Sequence, residues 1–164
     1  MKRREFLSRL GSLGGAGSML LFPAAAAESG AVEIGRGEFN VRRFGAAGDG
    51  RQLETKSLQD AIDRCAQAGG GTVWFPAGVY LSGTLFLKSR VTLHLEAGAV
   101  LLGSSHLEEY PQTVPSLRSY TDTYTERSLL YGENLESVAI EGDGMIDGQG
   151  AAFKGPYKVR PYLV

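Results

Sequence analysis

From Gly71 onward the chain is divided into apolar runs too short for an ordinary sheet. Residues 72–75, 79–81, 84–87, 91–95 and 99–102 are rich in Val, Leu, Thr and aromatics, and each holds three to five residues. Pro76-Ala77-Gly78, Ser82-Gly83, Lys88-Ser89-Arg90 and Ala97-Gly98 separate them. A β-sandwich, the next-best fold, uses strands of ~5–6 residues with turn signals every ~8–12, so its spacing is too coarse for this pattern. After a polar, Tyr-rich stretch over residues 104–127 the pattern resumes at 129–131, 137–140 and 144–147.

The runs are also self-similar. Residues 91–103 and 138–148 share one order: an extended run, a Gly-containing corner, a short apolar run and a closing Gly. Repeated short strands joined by corners predict a β-solenoid, in which each coil buries its inward positions on the coils above and below. The first coil of such a stack needs a plug. Leu58, Ala61, Ile62 and Cys65 fall at i, i+3, i+4 and i+7 and form one helical stripe, while Asp60, Asp63, Arg64 and Gln67 lie opposite. Thr55 or Ser57 is the expected N-cap, with Asp60 completing a capping box for Ser57, and Gly69-Gly70-Gly71 ends the helix. Before it, residues 39–44 alternate as a short strand and 45–50 form a turn cluster.

The 23 glycines among 164 residues raise the question of phosphate loops. Gly69-Gly70-Gly71-Thr72 follows a helix, whereas a P-loop precedes one, and neither Gly142-Asp143-Gly144 nor Gly148-Gln149-Gly150 gives G-x-G-x-x-G. Coil corners at φ > 0 are the reading adopted for these glycines. A formal net charge of −1 and the lack of a basic patch argue against nucleic acid as a partner.

Residues 1–27 are set apart from the fold. Lys2, Arg3 and Arg4 precede a weakly apolar core from Leu10 to Phe22 and the small residues Pro23 to Ala27, the order of an export signal. Arg3-Arg4-Glu5-Phe6-Leu7 is similar to the twin-arginine motif, though Lys2 and Ser8 depart from its usual flanks. The core is shorter than the ~20 residues that span a bilayer, so no stable membrane anchor is expected after cleavage. The export machinery is the partner expected for residues 1–27, and the destination is periplasmic or secreted. Of the 17 Lys and Arg, four (Lys2, Arg3, Arg4, Arg9) lie in this segment, as does Glu5 of the 18 acids, so 13 bases and 17 acids remain, net −4. Residues 28–38 are a polar lead-in, and 39–164 form the solenoid domain. Cys65 is the only cysteine, which excludes an intramolecular disulfide and, on the apolar helix face, predicts a buried thiol.

Candidate chemistry is sparse. Glu141, Asp143 and Asp147 are the one dense carboxylate cluster at strand ends; they suit either a glycosidase acid and base or Ca²⁺, but solvated corner positions are favoured. His94 alternates away from Leu93 and Leu95, and His106 lies in a polar loop. With two distant histidines and one cysteine, neither a metal site nor a cofactor is expected, and no Ser sits in a nucleophile elbow. Tyr110, Tyr120, Tyr124 and Tyr131 are a polar-aromatic set suited either to sugar rings or to loop packing.

Ordered motifs then carry a resemblance. Phe39-Asn-Val-Arg-Arg-Phe-Gly-Ala-Ala-Gly-Asp-Gly50, Ala61-Ile-Asp63, Gly69-Gly-Gly-Thr-Val73, Phe75-Pro-Ala-Gly78 with Tyr80, Leu87-Lys-Ser89, Leu129-Leu-Tyr-Gly132, Ile146-Asp-Gly-Gln-Gly150 and Arg160-Pro161 occur in sequence. Together they resemble the opening coils of glycoside hydrolase family 28, the polygalacturonases, within the pectate-lyase-like superfamily. The resemblance implies an all-β, right-handed parallel β-helix whose N-terminal coils carry one capping α-helix. It also implies hydrolysis of α-linked galacturonan, with a pectin-type polysaccharide or oligosaccharide as partner. The family's catalytic motifs, Asn-Thr-Asp, Asp-Asp, Gly-His-Gly and Arg-Ile-Lys, do not occur here, so no residue carries over as catalytic. The expectation is an N-terminal portion of such an enzyme, inactive alone. The alternatives are a β-helix polysaccharide lyase and a short, non-catalytic carbohydrate-binding module.

Overall fold

The computed structural model describes residues 38–114, 116, 126–153, 161 and 163. The first coil runs through β1 (Glu38–Asn40), β2 (Asp49–Leu53) and α1 (Thr55–Gln67). The second holds β3 (Gly71–Phe75), β4 (Gly78–Ser82) and β5 (Leu85–Phe86), and the third β6 (Val91–Leu95), β7 (Ala99–Gly103) and β8 (Leu130–Tyr131). A fourth begins with β9 (Ala139–Gly142) and β10 (Met145–Asp147). Every pairing is parallel and joins one coil to the next: sheet A is β1-β3-β6-β9, sheet B is β2-β4-β7-β10 and sheet C is β5-β8. The expected solenoid is therefore present.

Period-two alternation sends alternate residues inward, where the coils stack them in register. Phe39, Val73, Leu93 and Ile140 form one inward column, and Tyr80, Leu101 and Ile146 another. Val73, Leu93, Tyr80, Leu101, Leu85 and Leu130 are fully buried. Each such side chain contributes about 1.5–3 kcal/mol of transfer free energy.

Helix α1 occupies the place where a third strand of the first coil would lie, and packs against β1, β3, β5 and β6. Leu58, Ala61, Ile62 and Cys65 are its buried face, as the spacing predicts. Its start differs from expectation. Neither Ser57 nor Thr55 caps it; Glu54 is the N-cap residue and makes no side-chain capping bond. Its backbone N–H is held by the Leu81 carbonyl at 2.8 Å, and its carboxylate turns back to accept from the N–H groups of Ala47 and Gly48. Thr55 Oγ1 instead accepts from the Gly83 N–H at 2.7 Å.

The expected strand over residues 39–44 is also corrected. Only Glu38–Asn40 is extended, and Val41–Phe44 is a 3-10 turn opened by Asn40 Oδ1, which accepts from the Arg42 N–H. The expected turn over 45–50 gives way at Asp49 to β2. The corner before sheet A repeats a left-handed residue ahead of β3, β6 and β9: Gly70 (φ 108°), Arg90 (φ 63°) and Ser137 (φ 55°). At Gly70 a side chain would also collide with the Arg90 carbonyl, so glycine is required there twice over.

Candidate functional site

The three outer faces differ in what they offer a ligand. On sheet A, Asn40, Trp74, His94 and Glu141 form one outward row in register. Trp74 and His94 stack at 4.1 Å with an interplanar angle of 16°, and Trp74 Nε1 donates to Glu96 Oε1 at 2.8 Å. His94 Nδ1 lies 3.3 Å from Glu141 Oε1. Coil spacing of ~4.8 Å stacks these rings face against face, so each covers the other and their edges reach solvent. On the outward face of sheet B, Leu53, Val79, Leu81, Val100, Leu102 and Met145 are apolar, and the carboxylates Asp49 and Asp147 stand in the same outward rows.

Sheet C presents an outward aromatic pair. Leu85 and Leu130 point inward, and alternation turns Phe86 and Tyr131 outward, side by side. Their rings meet edge to face, centroids 5.8 Å apart and planes at 72°. An edge-to-face pair leaves a ring face uncovered, the geometry an apolar sugar face can stack upon. Burial and then the Glu133 carboxylate push the Tyr131 phenol up. Two residues beyond Phe86, Lys88 Nζ stands 3.8 Å from Asp63 Oδ1 on α1 and remains half-exposed.

Of the tyrosine set read from the sequence, Tyr131 lies on this surface; Tyr120 and Tyr124 fall outside the described residues. Tyr110 is corrected to a core residue: it is fully buried, packs edge to face against Phe153 and donates its hydroxyl to the Ser104 carbonyl at 2.7 Å. Burial, reinforced by Glu109, pushes its phenol up to about 12. Phe86 was missed, although its signal was present: next to inward Leu85 it must face out.

The carboxylate cluster separates. Glu141 lies on sheet A, Asp147 closes β10 on sheet B and bonds the Gln149 N–H at 2.8 Å, and Asp143 occupies the corner between them. All three are exposed, as solvated corner residues would be. Among the described residues no group of three His, Cys, Asp or Glu side chains gathers as a metal site. His106 lies in its loop, exposed, 3.6 Å from Glu108. Cys65 is buried, and burial pushes its thiol up.

Parallel coils with three sheets and a helix in place of the first sheet C strand define a parallel β-helix protein. Residues 38–152 match the family described as rhamnogalacturonase A/epimerase, pectate lyase-like, and the chain belongs to it. The chain is 40% identical over 135 residues to a "Probable polygalacturonase" of Vitis vinifera, covering 74% of this chain and 28% of that protein. It is 40% identical over 119 residues to the exo-poly-α-D-galacturonosidase of Dickeya chrysanthemi, covering 68% and 19%. The crystal structure of the family 28 exopolygalacturonase of Yersinia enterocolitica superposes with a TM-score of 0.61 at 40% identity, covering 70% of this chain and 21% of that one. These structural neighbours are right-handed parallel β-helices, and this chain shares their fold.

Proposed function

We propose that the chain supplies the opening coils of an exported glycoside hydrolase that acts on the α-linked galacturonan of pectin. The 40% identity to an exo-poly-α-D-galacturonosidase carries this reading. Residues 1–27 direct export, residues 28–38 lead into the fold, and the destination is the periplasm or the exterior. The task of these coils is to hold polymer: Phe86 and Tyr131 offer the stacking surface, and Lys88 stands close enough to meet a uronate carboxylate. Hydrolysis of a glycosidic bond needs two carboxyl groups flanking it. No residue of this chain matches the family's catalytic motifs, and on this reading the chain by itself binds without cleaving.

Affinity electrophoresis in gels containing polygalacturonate tests this, with a neutral glucan as control. The expected result is retardation by polygalacturonate alone, lost in Phe86→Ala, with no reducing ends released on incubation. Equal mobility in both gels overturns the polysaccharide reading. Released reducing ends overturn the inactive reading and return Glu141, Asp143 and Asp147 to consideration. The family's description also includes an epimerase, which gives a second reading in which a polyuronate is inverted at one ring carbon with its glycosidic bonds intact; epimerised uronate in an uncleaved product would favour it.

A further inference from the structure

Among the described residues sheet C begins at β5, and one edge of that strand has no strand beside it. In a parallel ladder alternate residues bond to opposite neighbours. Leu85 and Leu87 donate their N–H groups to Leu129 and Tyr131 on the third coil at 2.8 and 2.7 Å. The N–H and C=O of Phe86 therefore point the other way, toward α1. There the Gln59 side chain meets both: its Oε1 accepts from the Phe86 N–H at 2.8 Å and its Nε2 donates to the Phe86 carbonyl at 3.0 Å. A side-chain amide carries one acceptor and one donor side, as a strand residue does. Gln59 thus takes the place of the missing strand residue. Its Nε2 also reaches Asp63 Oδ1 at 3.0 Å, which fixes the amide orientation from within the helix.

Phe86 is the residue whose ring forms half of the sheet C surface, and its backbone on the open side is held by this one side chain. We infer that Gln59 is a positioning residue for saccharide binding: it acts through the Phe86 backbone to set the Phe86 ring against Tyr131. The inference rests on the polyuronate reading given above.

Three substitutions in the full chain test it, with polygalacturonate binding as readout. Gln59→Met keeps length and helix propensity but removes both hydrogen bonds; binding should weaken about fivefold, the worth of one modest hydrogen bond. Hydrogen exchange should then show protection lost at the Phe86 amide and retained in β3 and β6. Gln59→Glu adds a conservative rescue. Ionised, it has no donor for the Phe86 carbonyl and faces Asp63, with Lys88 the other charged group at hand. Protonated, it again offers one donor and one acceptor. Its affinity relative to the unsubstituted chain, measured at the same pH so that titration of the polymer cancels, should recover as pH falls through the carboxyl range. Phe86→Ala separates the two ideas. If Phe86→Ala weakens binding while Gln59→Met binds like the unsubstituted chain, the positioning role is overturned and the binding surface stands. If Phe86→Ala has no effect, the surface and the role that depends on it both fall.

Discussion

Replacing Tyr110 by Phe removes one oxygen from the interior and leaves the ring against Phe153. At neutral pH the Ser104 carbonyl loses its 2.7 Å donor, which should cost about 1–3 kcal/mol. The more searching effect lies in alkali. The Tyr110 phenol is raised from 10.0 to about 12 in the folded chain. Below pH 10 both folded and unfolded states keep the proton, and the stabilisation is fully present. Between 10 and about 12 the unfolded chain has released its proton while the folded chain still holds it, so unfolding is increasingly favoured as pH rises. A shift of about two units corresponds to about 2–3 kcal/mol lost across that window. Phe has no proton to lose. Urea unfolding of both chains, followed by the fluorescence of Trp74, gives the stability difference at each pH and cancels every other titrating group, Tyr80 included. The advantage of the Tyr110 chain should disappear or reverse by about pH 12. A difference that stays constant through the window would refute the burial argument.

Two further outcomes follow from the same geometry. Glu54→Ala strips the Ala47 and Gly48 N–H groups of their shared carboxylate acceptor at a buried position and should cost about 2–4 kcal/mol by urea melts, against about half that for Glu54→Gln, which keeps an acceptor oxygen. Cys65, fully buried with its thiol pushed up, should resist a disulfide reagent in the folded chain and react at once in denaturant; rapid native labelling would show that α1 opens from the coils.

The solenoid was legible because its causes are local. Runs of three to five residues cut by corners leave few architectures, and alternation within β6 was enough to separate His94 from Leu93 and Leu95. The helix stripe was equally plain. The helix start was not, because its N-terminus is arranged by Leu81, a residue of the next coil, and no nearby side chain announces that. Corner chemistry was visible at Gly70 and hidden at Arg90 and Ser137, non-glycine residues in the left-handed region; Arg90 is held there by backbone bonds to Gly71 and Glu136 of the coils on either side.

The site divides in the same way. Sequence by itself determined the period and the plugging helix, since each depends on residue type at fixed local spacing. Only the tertiary structure decided that Tyr110 is core while Phe86 and Tyr131 share an outer face, and that Gln59 takes the role of a strand. The reason is physical: in a coiled ladder a residue's neighbours along the stack lie a full coil away in sequence, 47 positions for His94 and Glu141, and no local pattern encodes which residue a coil of variable length will set beside it.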